Sequence, residues 1–205
     1  MKKIILLTIL IACSVFAKSA PKTHDGFFLN GTAGFGYGNY LNEFNNEGVK
    51  MESKGPQIEM GFKIGGAIIP NLILHANLNV NTILSSIKAS NKNGDEAQTS
   101  SNSFKVILFG AGVTYYLPSE LNIFLSASAG IADYTEICAL GESVSSHDDE
   151  FSFNLSAGKE WWINNEFGIG IALSYNHTSA KSEFLKVKGE ASSNSISVVA
   201  TFTFN

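Results

Sequence analysis

One short motif in the chain combines a histidine and a serine at a spacing that suits nucleophilic catalysis. His177 and Ser179 are separated by one residue, so on an extended strand their side chains lie on the same face. A histidine beside a serine can take the hydroxyl proton and direct the oxygen at an acyl ester, provided that an acid orients the imidazole. Glu183 and Glu190 follow the motif and are the candidate acids. The chemistry that the motif suggests is ester hydrolysis.

Several charged residues fall on the face of the predicted strands that is otherwise small and polar. Glu59 and Lys63 are four residues apart, which on a strand puts them on one face about two pleats from each other. His75, Asn77 and Glu160 fall on the corresponding face of other predicted strands. We expect these five residues to form an interior salt-bridge network, because charges cannot face lipid. An ion selectivity filter is the alternative.

Residue types argue against several other kinds of site. The two cysteines, Cys13 and Cys138, are too far apart for a structural zinc site or a disulfide scaffold. All 14 basic residues are lysines and the net charge is -4, which disfavours specific nucleic-acid binding. The acidic run at 148–150 lacks the spacing of a calcium site. We therefore expect no metal, no cofactor and no nucleic-acid partner.

The first residues have the pattern of a secretory signal peptide. Two lysines at positions 2 and 3 precede an apolar run that ends at Ala17. The run is shorter than the roughly 20 residues of a spanning helix. We predict that residues 1–17 are cleaved, that 18–24 form a short periplasmic segment and that 25–205 form one domain. Cys13 ends a lipobox-like sequence, so lipidation of Cys13 is the alternative.

After residue 20, apolar residues recur with a period of two rather than 3.6, which predicts β-strands. Only 16% of the residues are charged, well below the roughly 25% of average globular domains. Eight segments alternate in this way: 27–37, 57–68, 72–81, 107–117, 121–131, 151–158, 168–176 and 195–204. Their second face is rich in Gly, Ser, Asn and Thr, which suits the narrow interior of an eight-stranded barrel. A soluble β-sandwich is the alternative for alternating strands.

The connections between these segments are of two kinds that alternate along the chain. Short turns are predicted at 70–71, 118–120 and 164–165, and long polar loops at about 39–54, 87–102, 135–149 and 180–193. Tight turns on one side and long loops on the other are typical of outer-membrane barrels. The pattern predicts an all-β, eight-stranded antiparallel up-and-down transmembrane β-barrel with both termini in the periplasm. Aromatic residues near the strand ends are expected to form two interface girdles: Tyr37, Tyr115, Tyr116, Trp161, Trp162 and Phe204.

Three segments carry a resemblance to a known family: the glycine-rich segment 31–38, the segment 110–117 and the alternating C-terminal strand. In these segments the chain resembles the small eight-stranded outer-membrane barrels of the OmpA/OmpX type. This resemblance implies a monomer in the outer membrane that contacts lipid and lipopolysaccharide. Members commonly end in phenylalanine, which the outer-membrane assembly machinery recognises, and here Asn205 follows Phe204.

The His-x-Ser motif resembles that of lipid A deacylases, in which a downstream acid orients the histidine. Ala180 stands where that family has an asparagine. We therefore expect a non-enzymatic, envelope-stabilising barrel with surface-exposed interaction loops. The alternatives are a deacylase that uses His177, Ser179 and Glu190, and a narrow pore. A closed interior is favoured over a pore because side chains just fill an eight-stranded barrel.

Overall fold

The computed structural model describes residues 22–44, 49–85, 88–90, 96–98, 103–118, 121–137, 143–144, 147–184 and 187–205. The strands are β1 (Phe27–Phe44), β2 (Val49–Ile69), β3 (Leu72–Leu84), β4 (Lys88–Ser90), β5 (Glu96–Gln98), β6 (Ser103–Tyr116), β7 (Ile123–Ile137), β8 (Ser143–Val144), β9 (His147–Trp162), β10 (Phe167–Phe184) and β11 (Val187–Phe204). Within these ranges there is no helix long and apolar enough to cross a membrane. The predicted signal peptide, Cys13 and Cys138 lie outside the described residues, as do the side chains of Glu183 and the acidic residues 148 and 149.

Eight long strands form one closed antiparallel sheet. The order around the barrel is β1, β2, β3, β6, β7, β9, β10 and β11, and each strand pairs with the next. The barrel closes because β11 pairs with β1 along a register that runs from Leu29 opposite Phe204 to Phe44 opposite Gly189. The short strands β4 and β8 add to the edges of β2 and β7. The predicted eight-stranded up-and-down barrel is confirmed.

The strands extend well into the segments predicted to be long loops. β1 continues to Phe44 and β2 begins at Val49, so most of the predicted loop 39–54 is paired backbone. The predicted loop 180–193 is likewise occupied by the ends of β10 and β11, which pair as far as Phe184 opposite Val187. Beyond the membrane the outer face of a strand contacts water instead of lipid and need not be apolar, so the apolar alternation ends before the hydrogen-bonded ladder does. The predicted loop boundaries were therefore wrong at these two hairpins.

Asparagine residues shape the tight turns at the other end of the barrel. Asn71 and Asn122 adopt positive φ angles of 67° and 53°, a left-handed conformation that asparagine tolerates better than most residues. Asn164 uses its side-chain oxygen to accept hydrogen bonds from the backbone N–H groups of Glu166 and Phe167, both at 2.8 Å. The short turns at 70–71 and 164–165 lie where the sequence predicts them, and residues 119–120 of the third predicted turn lie outside the described residues.

The two faces of the barrel are opposite in character. Apolar side chains are exposed on the outside, as at Phe35 (75% exposed), Ile131 (69%) and Phe202 (61%). Polar side chains are buried inside, as at Asn79 (3%) and Ser197 (1%). A soluble sandwich has the reverse arrangement, so the exposed apolar belt identifies the outer face as the one that contacts lipid.

Two apolar clusters lie inside the barrel, one toward each end of the strands. Tyr40, Ile83, Phe104, Val106, Tyr134, Ala180 and Ala191 form the upper cluster, on the side of the long hairpins. Phe28, Ile73, Tyr116, Phe124, Ala172 and Val199 form the lower cluster, near the short turns. Buried polar residues occupy the strand centres between them. The interior is therefore a polar layer between two apolar ones.

Candidate functional site

Glu59 is the centre of the polar layer. Its carboxylate accepts hydrogen bonds from the Ser174 hydroxyl at 2.6 Å, the Asn176 amide at 3.0 Å and the Asn79 amide at 3.1 Å. These donors come from strands β10 and β3, so Glu59 links opposite sides of the barrel through its own strand, β2. Three neutral donors satisfy a buried carboxylate without a cation in contact.

Lys63 belongs to a second chain of hydrogen bonds. Its ammonium group donates to the Ser126 hydroxyl at 2.8 Å, and Thr114 donates to the same oxygen at 2.9 Å. His75 Nε2 lies 3.1 Å from the Thr114 hydroxyl. The ion pairs found among the described residues, Lys50–Glu43 and Lys54–Glu52, lie on the outer strand ends. Glu59 and Lys63 therefore do not form the predicted salt bridge with each other. Their partners in the described structure are neutral hydroxyl and amide groups.

Glu160 anchors the lower part of the interior. It accepts hydrogen bonds from Thr203 at 2.6 Å, Tyr116 at 3.0 Å and Thr201 at 3.2 Å. Asn77 is also buried, but its amide has no hydrogen-bond partner among the described residues. All five residues of the predicted network thus lie inside the barrel, although they belong to separate hydrogen-bonded groups.

In the described part of the chain, the polar layer encloses only a small cavity. The cavity between Glu59 and Lys63 has a volume of about 10 Å³, which holds about one water molecule. Above it, the rings of Tyr40 and Phe104 stack with centroids 4.2 Å apart, and Tyr134 meets Tyr40 edge-on at 5.7 Å. These rings form an apolar layer across the upper lumen.

Residues 22–26 cover the lower end of the barrel. The His24 ring stacks on Tyr116 with centroids 3.4 Å apart and on Trp162 at 4.9 Å, and its Nε2 lies 2.7 Å from Oδ1 of Asn122. Burial lowers the pKa of His24, and the contact with Asn122 opposes part of that effect. The backbone carbonyl of His24 also accepts a hydrogen bond from Asn71. His24 thus holds this segment against the lumen.

The predicted aromatic girdle is only partly on the outer surface. Tyr37, Tyr115 and Trp161 are 59%, 40% and 50% exposed on the lipid-facing side. Tyr116 is instead 1% exposed inside the barrel, and Trp162 packs on His24. Consecutive residues of a strand point to opposite faces, so one member of each aromatic pair must point inward. The prediction for Tyr116 and Trp162 was wrong for that reason.

Phe204, the remaining girdle residue, is half-buried. Its ring contacts Phe167 at 5.0 Å and Phe27 at 6.2 Å, which are on the two neighbouring strands. Asn205, which follows it, is buried and donates its backbone N–H to the Glu166 carbonyl at 3.0 Å. Phe204 therefore belongs to an aromatic cluster at the point where the barrel closes.

On the outer face of β10, His177 is half-buried and Ser179 is exposed. His177 Nδ1 lies 2.8 Å from the Asn194 side-chain oxygen, and Tyr175 donates to that same oxygen at 2.9 Å. No hydrogen bond joins Ser179 to His177 in the described part of the chain. Glu190 is exposed and pairs with Lys181, which is four residues along β10 from His177. An amide thus occupies the position in which a hydrolase of the predicted kind needs an acid.

Asn194 and the inward-facing tyrosines Tyr40 and Tyr116 were not predicted from the sequence. Asn194 lies 17 residues after His177, and only the register of β10 against β11 brings the two together. The parity of Tyr116 relative to Val113 and Tyr115 was a usable signal for its inward direction. Tyr40 has polar neighbours in the sequence, so the alternating pattern did not show that β1 continues through it.

Comparisons with known proteins agree on the fold. No family model and no curated protein matches the chain. Among solved structures, the outer membrane protein OprG from Pseudomonas aeruginosa matches with a TM-score of 0.51 at 11% identity, covering 89% of this chain and 98% of its own. Neisserial surface protein A matches with a TM-score of 0.49 at 12% identity, covering 85% and 95%. The outer membrane protease OmpT from Escherichia coli matches at 0.46 and 10% identity, covering 93% and 99%. The fold of this chain is therefore that of the small outer-membrane β-barrels, as its resemblance to the OmpA/OmpX type predicts.

Proposed function

We propose that the protein is a non-enzymatic, non-conducting barrel of the outer membrane that stabilises the envelope and holds its long hairpins at the cell surface. The observation that supports this most directly is the filled lumen. Tyr40, Phe104 and Tyr134 pack across its upper part, and His24 stacks on Tyr116 across its lower end. A hydrated ion crossing the lumen would have to displace both layers, so we expect no conductance.

The proposed orientation places both termini in the periplasm. The short turns, residues 22–26 and Asn205 lie at one end of the barrel, which is the periplasmic end in outer-membrane barrels. The belt of exposed apolar residues would contact lipid, and the strand ends above it would contact lipopolysaccharide. The C-terminal strand, with Phe204, is the segment that we propose the assembly machinery recognises. The same reasoning supports a monomer, because the barrel closes on itself.

Conductance across a planar bilayer tests the closed lumen. We expect the refolded wild-type protein to give no discrete current steps, and the double variant Tyr40→Ala with Phe104→Ala to remain closed because the lower layer persists. Adding His24→Ala and Tyr116→Ala should still give no steps, because the filled polar layer around Glu59 and Lys63 remains. Discrete steps from the wild type would contradict the proposal and favour a narrow pore.

Lipid A analysis tests the enzyme alternative. Because Asn194 rather than an acid is the partner of His177, we expect lipid A from cells that express the wild type, His177→Ala or Ser179→Ala to carry the same acyl chains. In a true catalytic pair, removing either residue would cost a large part of the rate. Loss of an acyl chain that depends on both His177 and Ser179 would make the protein a hydrolase.

A further inference from the structure

A groove of about 520 Å³ crosses the outer surface of the barrel from β6 to β11. Its lining includes Ala127 and Ala157, whose small side chains stand among larger ones such as Leu125, Leu155 and Leu173. At its base it reaches the backbone of positions such as Ser126, whose side chain points into the lumen. The groove is thus a depression in the lipid-facing side of the wall and is separate from the interior.

The chemistry of the groove fits a hydrocarbon chain. Nearly all of its lining is apolar, and it lies within the belt of exposed apolar residues that contacts lipid. Its volume is within the roughly 300–1,000 Å³ of small-molecule binding sites. Because it is open along one side to the bilayer, a long flexible chain can enter laterally. A second copy of the barrel presents a convex surface, which matches a groove of this shape less well.

The two ends of the groove lie at different depths in the membrane. Tyr115, at one end, is one residue from the end of β6 on the short-turn side. Tyr175, at the other, is eight residues beyond the start of β10 at Phe167. At about 3.3 Å per residue and a tilt of about 40°, these eight residues place Tyr175 roughly 20 Å above the short-turn end of β10. The apolar band of an outer-membrane barrel is about 25 Å tall. The Tyr175 end therefore lies close to the outer interface, where the acyl linkages of the outer leaflet are.

A polar group of residues adjoins this upper end. Tyr175 and His177 both direct hydrogen bonds to the side-chain oxygen of Asn194, at 2.9 and 2.8 Å. These bonds fix the amide so that its NH₂ group is directed elsewhere, and no acceptor for it is found among the described residues. A neutral N–H donor matches the carbonyl oxygen of an ester or amide linkage.

We propose that the groove binds one acyl chain of an outer-leaflet lipid and that Asn194 donates a hydrogen bond to the carbonyl oxygen of its linkage. Tyr175 and His177 position the Asn194 amide. In this arrangement His177 holds a binding group in place and takes no part in bond cleavage. The site lies on the outer wall, so its occupation is independent of whether the lumen conducts.

Photo-crosslinking tests the groove. The full-length mature protein is folded into phosphatidylcholine vesicles that contain a trace of phosphatidylcholine with a diazirine on one acyl chain, and labelled residues are mapped by mass spectrometry. We expect groove strands β7, β9 and β10 to carry at least fivefold more label than β1 and β2. Ala157→Phe should remove that excess by filling the groove. Ala33→Phe, also outward-facing but on β1, should leave it unchanged. Mobility on unheated gels verifies that each variant is folded.

An ester-linked and an ether-linked probe test the role of Asn194. The wild type should label the groove at least threefold more with the ester probe, because only that probe carries the carbonyl acceptor. In Asn194→Leu the two probes should label equally. An ester preference that survives in Asn194→Leu would overturn the role of Asn194. Even labelling around the belt, or crosslinks that join two protein copies through the groove, would overturn the groove as a lipid site.

Discussion

Thr203 is expected to stabilise the barrel because its hydroxyl hydrogen-bonds to the buried Glu160 carboxylate. The Thr203 hydroxyl donates to Glu160 at 2.6 Å and accepts a hydrogen bond from Asn30 at 2.8 Å. Thr203→Val keeps the shape but leaves the Asn30 amide without this acceptor and Glu160 with one donor fewer. We expect it to lower the free energy of unfolding by about 1–3 kcal/mol. Denaturant titration of the refolded barrel measures the change.

The matched control for this prediction is the same substitution on the other face. Thr82 lies half-buried on the outside of β3, and none of the hydrogen bonds described involves its side chain. Thr82→Val should therefore change the stability by less than the interior substitution. Equal effects at the two positions would contradict the assignment of Thr203 to a buried hydrogen-bonded group.

At the scale of single strands, depth in the membrane should decide the cost of a charge. Leu78 is six residues into β3 and Thr82 is ten, and both point outward. Leu78→Arg should cost roughly 2–4 kcal/mol because it puts a charge near the bilayer midplane, and Thr82→Arg only about 0–1 kcal/mol because it lies near the interface. The free energies of folding into lipid vesicles give the comparison. If the two arginines cost the same, the position of the belt on β3 is wrong.

The strands also show what the sequence can and cannot predict. Period-two alternation was enough to separate Leu78 from Asn77 and Asn79, because a strand in a membrane has one apolar and one polar face. It did not predict how far β1 and β10 extend, since outside the membrane the outer face contacts water and no longer has to be apolar. The contact of His177 with Asn194 could not be predicted either. It depends on the register between β10 and β11, which neither strand's own sequence determines.

At the scale of the whole molecule, closure of the barrel depends on glycines that face inward. A methyl group added at Gly34 would overlap the carbonyl oxygen of Val198 and the backbone of Val199 on the neighbouring strand β11. Small barrels need strongly tilted and coiled strands, and glycine allows such close approach of two backbones. Because Gly34 lies on the seam between the first and last strands, a side chain there should strain the contact that closes the sheet.

Gly34→Ala is therefore expected to destabilise the closed barrel by about 1–3 kcal/mol, the usual cost of forcing atoms into a packed site. Gly31 provides the control, because it lies on the same strand and a methyl group there would meet no atom within 4 Å. Gly31→Ala should be neutral or slightly stabilising, since alanine loses less backbone entropy than glycine on folding. Gel mobility before and after heating reports the folded fraction, and urea titration the stability. Should both variants fold as well as the wild type, the seam between β1 and β11 must be looser than this register implies.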